Sequence, residues 1–175
     1  MTTPDVAALI AHFGFAPLPS EGTLFASTYR SVGNVEGGQP VGTAMIGMFC
    51  ADPVSRSRFH RLPVDEVWHF YGGDPLRLVL LYADGSSSDV IMGADPLAGH
   101  RVQFVVPAGV WQAGHLVDRG RYALFGCTMA PGFTDTMYEG GTRDALTASH
   151  PDRTQDIARL GCDPHDTSMP EGFAT

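Results

Sequence analysis

Ser57-Arg58-Phe59-His60-Arg61-Leu62-Pro63-Val64-Asp65-Glu66-Val67-Trp68-His69-Phe70-Tyr71-Gly72-Gly73 decides how this chain is read. A histidine and a carboxylate stand just ahead of an aromatic strand, and the strand stops at a glycine pair. Downstream, Val105-Val106-Pro107-Ala108-Gly109-Val110-Trp111-Gln112 repeats the theme: an apolar strand, a Pro-x-Gly turn, then an aromatic and polar strand start. Two such strand pairs facing each other make a small barrel with a polar patch inside. That arrangement points to a small-molecule pocket.

Working outward, the apolar runs are short and bounded by turn residues, with 21 Gly and 13 Pro in 175 residues, which favours an all-β chain. Strands are expected over 24–31, 42–51, 54–59, 65–71, 76–82, 87–92, 101–106, 110–116 and 121–130. The turns between them carry Asp52-Pro53, Asp74-Pro75, Asp84-Gly85, Asp95-Pro96 and Arg119-Gly120. Strands at this spacing form a sandwich or a barrel. Residues 5–13 read as a short amphipathic helix with Gly14 just past its end. Arg143–Leu146 and Arg153–Leu160 read as short helices separated by Pro151. The whole, 1–175, reads as one domain: a barrel over about 24–139 and a helical tail over about 140–175.

Charge and composition exclude several classes. A net charge of −8 leaves no basic stripe to displace counterions, so no nucleic-acid partner is expected. No apolar run approaches the roughly 20 residues that span a bilayer, so no membrane partner is expected either. The start Met1-Thr2-Thr3-Pro4-Asp5 lacks the basic residues of a signal peptide, and the expected location is cytoplasmic. Cys50, Cys127 and Cys162 are odd in number and widely spaced, which argues against a disulfide framework or a zinc knuckle. Two of them sit in strand-like apolar runs and are expected to be buried structural thiols.

The residues also resemble a family. Glu21-Gly22, Tyr29-Arg30-Ser31, Ser57–Arg61, Asp65–Phe70, Gly72–Leu76, Val106–Gln112 and Ala130–Phe133 together resemble cupin family 5 of the cupin superfamily. The likeness covers roughly residues 5 to 161. It implies a double-stranded β-helix (jelly-roll) barrel with short N- and C-terminal helices, similar in shape to the dTDP-keto-sugar epimerases. It also implies a homodimer, for which an exchanged N-terminal strand at Leu24–Ser31 is one device. One departure stands out: the family tends to read His-Pro-Glu-Gly-Gly where this chain has Leu18-Pro19-Ser20-Glu21-Gly22.

The resemblance implies a first motif that gives two histidines and a glutamate to a metal. Glu66 matches the glutamate and His60 one histidine, while Arg58 stands where the other would be. In the second motif, Gln112 replaces the metal-binding histidine. His60, Glu66 and Gln112 therefore form a weak set for a divalent metal such as iron, nickel, manganese or zinc. His115 alternates to the opposite face from Gln112 unless a bulge intervenes.

Without a metal the same residues suit acid–base chemistry. Histidine exchanges protons near its ordinary pKa of about 6.5, and a nearby carboxylate orients the ring or stabilises its charged form. His60 is the expected base and Glu66 its orienter. Trp68, Phe70 and Trp111 are expected to wall the pocket, with Arg58, Gln112 and Tyr138 as polar contacts to substrate. Plainer readings compete: His60 satisfied by a backbone carbonyl, Glu66 bridged to Arg58 or Arg61, His69 on the exterior. Three functions follow: an isomerase, lyase or cyclase acting on a carbonyl-containing metabolite, a metal-dependent oxygenase, or a metabolite-binding protein without chemistry.

Overall fold

The structure is a computed structural model that describes residues 5–174. The start Met1–Pro4, read above for targeting, lies outside them. Helix α1 (Val6–Phe13) opens with the Asp5 side chain accepting from the Ala7 amide and ends at Gly14, whose φ of 66° suits a residue without a Cβ. Ten further segments precede the tail: β1 (Ala16–Pro17), β2 (Leu24–Arg30), β3 (Thr43–Cys50), β4 (Ser57–Arg61), β5 (Glu66–Gly73), β6 (Leu76–Leu81), β7 (Ser87–Met92), β8 (Gln103–Val106), β9 (Trp111–Leu116) and β10 (Tyr122–Met129). The two-residue β11 (Glu139–Gly140) is followed by α2 (Arg143–Ser149) and α3 (Thr154–Leu160).

The strands form two sheets, ordered β1-β2-β3-β10-β5-β8 and β11-β4-β9-β6-β7. Every named strand pairing is antiparallel. This is the all-β jelly-roll barrel expected from the sequence. The inner faces meet around Phe49, Trp68, Leu78, Leu80, Val106, Phe125 and Cys127. Strand β6 is apolar at every position but Arg77, because both its faces are covered. Leu76, Leu78 and Leu80 point into the barrel, while Val79 and Leu81 pack outward under Leu146, Ile157 and Leu160 of the tail helices. Helix α1 covers part of the other sheet's outer face through Leu24, Met48 and Tyr122.

Two strands start more than one residue away from the sequence expectation. The strand expected at 54–59 runs Ser57–Arg61, because Ser55 folds back to bond Cys50 through both backbone groups and uses up the intervening residues as a turn. The strand expected at 101–106 starts at Gln103, since Arg101 is drawn into a parallel bridge with Met92. Strand Leu24–Arg30 pairs with β3 of its own chain.

Candidate functional site

A cavity of about 230 Å³ opens at one end of the barrel. Its polar wall comes from Glu21, His60, Glu66 and Tyr138, and its apolar wall from Phe25, Met45, Trp68, Met129, Phe133 and Phe173. Two strand features and one turn aim these groups inward.

In β5 the two-residue alternation sends Glu66, Trp68 and Phe70 to one face, and Cys127 and Met129 stand opposite Trp68 and Glu66 on β10. In β4 a bulge between Ser57 and His60 sets His60 across from Gln112. A bulge re-aims side chains that simple alternation would send elsewhere. Glu21 arrives differently, on a tight turn after β1 closed by Leu18–Thr23 and Gly22–Leu18 backbone bonds.

His60 is buried and held in one tautomer. Its Nδ1 lies 2.9 Å from the Arg58 carbonyl, which can only accept, so Nδ1 carries a proton and Nε2 is the nitrogen left to exchange one. Nε2 lies 4.0 Å from Glu21 Oε2, and the ring stacks on Tyr138 with centroids 5.3 Å apart. Glu21 is itself bonded by the Thr23 hydroxyl.

Glu66 sits in a closed triangle. Trp68 Nε1 donates to Glu66 Oε2 at 3.1 Å and to Gln112 Oε1 at 2.9 Å, while Gln112 Nε2 donates to Glu66 Oε2 at 2.8 Å. Burial pushes the Glu66 carboxyl up from its ordinary range. The Glu21 charge adds to that push, whereas His60 and the bonds from Gln112 and Trp68 oppose it without offsetting burial. Burial, helped by Glu21, also holds the Tyr138 phenol far above its ordinary value, so it stays a neutral donor. The Cys127 thiol is raised well above its usual range, again by burial first and the Glu66 charge second.

Of the residues expected at the site, His60, Glu66, Trp68 and Tyr138 line the cavity together. Gln112 is buried beside it and braces Glu66 and Trp68 from outside the lining. Phe70 packs into the barrel core away from the cavity. Trp111 faces the opposite side of β9, against the tail helices and beneath the Arg61 guanidinium 4.5 Å from its ring. Arg58 turns outward to Asp166 at 2.7 Å and contributes its carbonyl, not its side chain.

The plainer readings also sort themselves. Glu66 is not bridged to Arg58 or Arg61: Arg58 pairs with Asp166 and Arg61 with Glu139. His60 does bond a backbone carbonyl, but only through one nitrogen. His69 lies on the outer face with Thr128 and Gln103. His115 also faces outward, its ring bonded to the Leu116 carbonyl. All three cysteines are buried and free.

The metal set does not fit. Both ends of the Gln112 amide are engaged by Trp68 and Glu66, so Gln112 is not turned to join His60 and Glu66 as a ligand. Among the described residues, no group of three His, Cys, Asp or Glu side chains is arranged to hold a metal ion.

Sequence reasoning missed Glu21, Arg30 and Phe173 as lining residues. The Glu21-Gly22 pair was legible as a motif, but nothing local to it indicates that the turn folds onto His60. Phe173 comes from the tail, where it packs 5.7 Å from Phe25.

Comparison with known proteins agrees with this architecture. A protein from Shewanella oneidensis, known from an X-ray crystal structure, is 26% identical and superimposes with a TM-score of 0.83 over 91% of this chain and 98% of its own. A hypothetical protein from Leishmania major is 24% identical, with a TM-score of 0.82 over 91% of this chain and 100% of its own. A cupin 2 conserved barrel domain protein from Rhodopseudomonas palustris shares the fold at 15% identity and a TM-score of 0.54, over 86% of this chain and 92% of its own. No curated protein matches the chain. The pattern of cupin family 5, described as Cupin superfamily (DUF985), matches residues 7–141, and the chain belongs to that family.

Proposed function

We propose that this cupin is an enzyme that moves a proton beside a carbonyl group of a small metabolite, in the manner of an isomerase, epimerase, dehydratase or cyclase. The observation that carries the reading is the pairing of two opposite titratable groups in one cavity. His60 has Nδ1 bonded to the Arg58 carbonyl, which leaves Nε2 for proton exchange, and burial pushes the Glu66 carboxyl toward its neutral form. A histidine with one ring nitrogen free beside a carboxyl whose burial favours the neutral form suits a base and an acid.

In the proposed step, His60 Nε2 takes the proton from the carbon next to the carbonyl. The C–H electron pair moves into the new carbon–carbon double bond, and the carbonyl π pair moves onto oxygen. Glu66 donates its hydrogen bond to that oxygen, and Glu21 balances the charge of the imidazolium 4.0 Å away. Return of a proton to carbon gives isomerisation or epimerisation; loss of a group from the next carbon gives elimination. Proton transfer of this kind contributes about 10²–10⁴-fold. Trp68 and Tyr138 supply flat walls that hold the substrate against His60.

The test is hydrogen–deuterium exchange of a carbonyl-metabolite library in D₂O, read by mass spectrometry. Exchange catalysed by the native protein and lost in His60→Ala and Glu66→Gln, with both variants folded, supports the reading. A metabolite that binds saturably without exchange would instead make this a binding cupin, and would overturn the catalytic reading.

A further inference from the structure

Strand β2 carries a bulge that changes what the cavity can hold. Ser27 pairs with Met45, and then the register slips so that Tyr29 faces Ala44 and Arg30 faces Thr43. Simple alternation from the inward Phe25 and Ser27 would turn Tyr29 in and Arg30 out. With the bulge, Tyr29 is 56% exposed on the outside, and Arg30 joins Ser27, Thr43 and Met45 in the cavity lining. Bulges next to active sites commonly serve to re-aim one side chain.

Arg30 is the only arginine or lysine among the described residues that line the cavity. Elsewhere on the molecule, Arg58, Arg61, Arg77, Arg143 and Arg153 each pair with a carboxylate. Among the described residues no carboxylate lies within ion-pair distance of Arg30; its Nη1 donates to the Phe133 carbonyl at 3.0 Å, which orients the guanidinium. The rest of the fork is left for an oxyanion, whose paired oxygens match the planar guanidinium. The cavity's own carboxylates, Glu21 and Glu66, are buried, whereas Arg30 is exposed at the rim.

We infer that Arg30 is an anion anchor and that the ligand is a small organic oxyacid, a carboxylate or a phosphate ester with an apolar body. Its charged head sits at Arg30, and its body lies along Phe25, Met45, Phe133 and Phe173. At about 230 Å³ the cavity is smaller than the roughly 300–1,000 Å³ usual for drug-sized ligands, so the body is a single ring or a short chain. This inference rests on the proposed use of the same cavity, since it puts the reacting carbon toward His60.

The experiment is calorimetric titration of the full chain with size-matched pairs: phenylpropanoate and phenylpropanamide, hexanoate and hexanamide, phenyl phosphate and phenyl sulfamate. The charged member of at least one pair is expected to bind about tenfold more tightly, the value of a charge-assisted hydrogen bond. Preference among the carboxylates or for the phosphate ester tells which head the anchor takes. Arg30→Gln is expected to abolish the preference and Arg30→Lys to restore part of it, both at unchanged melting temperature. Equal binding of acid and neutral partner, a preference that survives Arg30→Gln, or no binding of any acid at millimolar concentration overturns the inference. His60→Ala should keep the preference. An intact preference without proton exchange would therefore refute the catalytic reading alone.

Discussion

Replacing Gln112 by Met removes the amide while keeping the length of the side chain, and tests the triangle that holds Glu66. Gln112 is 1% exposed and Trp68 2%, so no solvent stands ready to take over their bonds. The substitution deletes the 2.9 Å bond from Trp68 and the 2.8 Å bond to Glu66, and leaves the 3.1 Å bond between Trp68 and Glu66. Neither neighbour is orphaned, so the loss is that of two net hydrogen bonds between neutral groups, about 2 kcal/mol in all. For a chain of this length that corresponds to a fall in Tm of about 4–8 °C. The deficit should also depend on pH. The Gln112 bond favours the ionised form of Glu66, so its removal makes ionisation harder still. The variant should therefore lose more relative to wild type as pH rises through the raised native value of Glu66. Urea unfolding followed by circular dichroism, at about pH 5 and about pH 8, measures both effects. A loss below about 0.5 kcal/mol, the size of an ordinary surface substitution, would refute the triangle. A deficit that shrinks with rising pH would refute the assignment of Glu66 as the buried acid.

Glu66→Gln gives a second test of the same protonation state. A raised native pKa means that the folded chain keeps a proton the unfolded chain releases above about 4.3. Wild-type stability from this group is thus complete below that pH and drains away as pH climbs toward the native value. Gln cannot ionise, so the Tm of the variant should gain on wild type through that window; a gap that is flat or narrows with pH contradicts the burial argument. The thiols offer a third. Burial first and the Asp52 charge second push Cys50 up to about 11, and Cys127 lies well above its ordinary range. Native protein at about pH 8 should react slowly with a thiol reagent and give three thiols per chain in urea. Rapid labelling of the native state, or fewer than three thiols after unfolding, would contradict this placement.

Much of the barrel was legible because its signals are local. The Gly72-Gly73 stop ends β5 where Gly73 takes a φ of 91° that L side chains rarely adopt. The Pro107-Ala108-Gly109 turn delivers Trp111 and Gln112 to the start of β9. Alternation along β5 places Glu66 and Trp68 on one face without reference to any other strand. His60 and Glu66 were therefore readable as neighbours. The same reasoning failed for Trp111 and Arg58, whose residue types suit a pocket but whose side chains have other partners: the tail helices for Trp111, Asp166 for Arg58.

By itself, then, the amino-acid sequence determined the strands, the turns that punctuate them, and the presence of His60 and Glu66 on successive strands of the barrel. Only the tertiary structure decided which groups complete that pair. Glu21 reaches His60 from a turn about 40 residues earlier in the chain. A bulge brings Arg30 inward, and a bulge exists only in the register between two paired strands. The upward push on the Glu66 carboxyl is likewise not a property of its neighbours in sequence. It depends on how completely the two sheets exclude water from one carboxyl group, and that is settled only when the barrel closes.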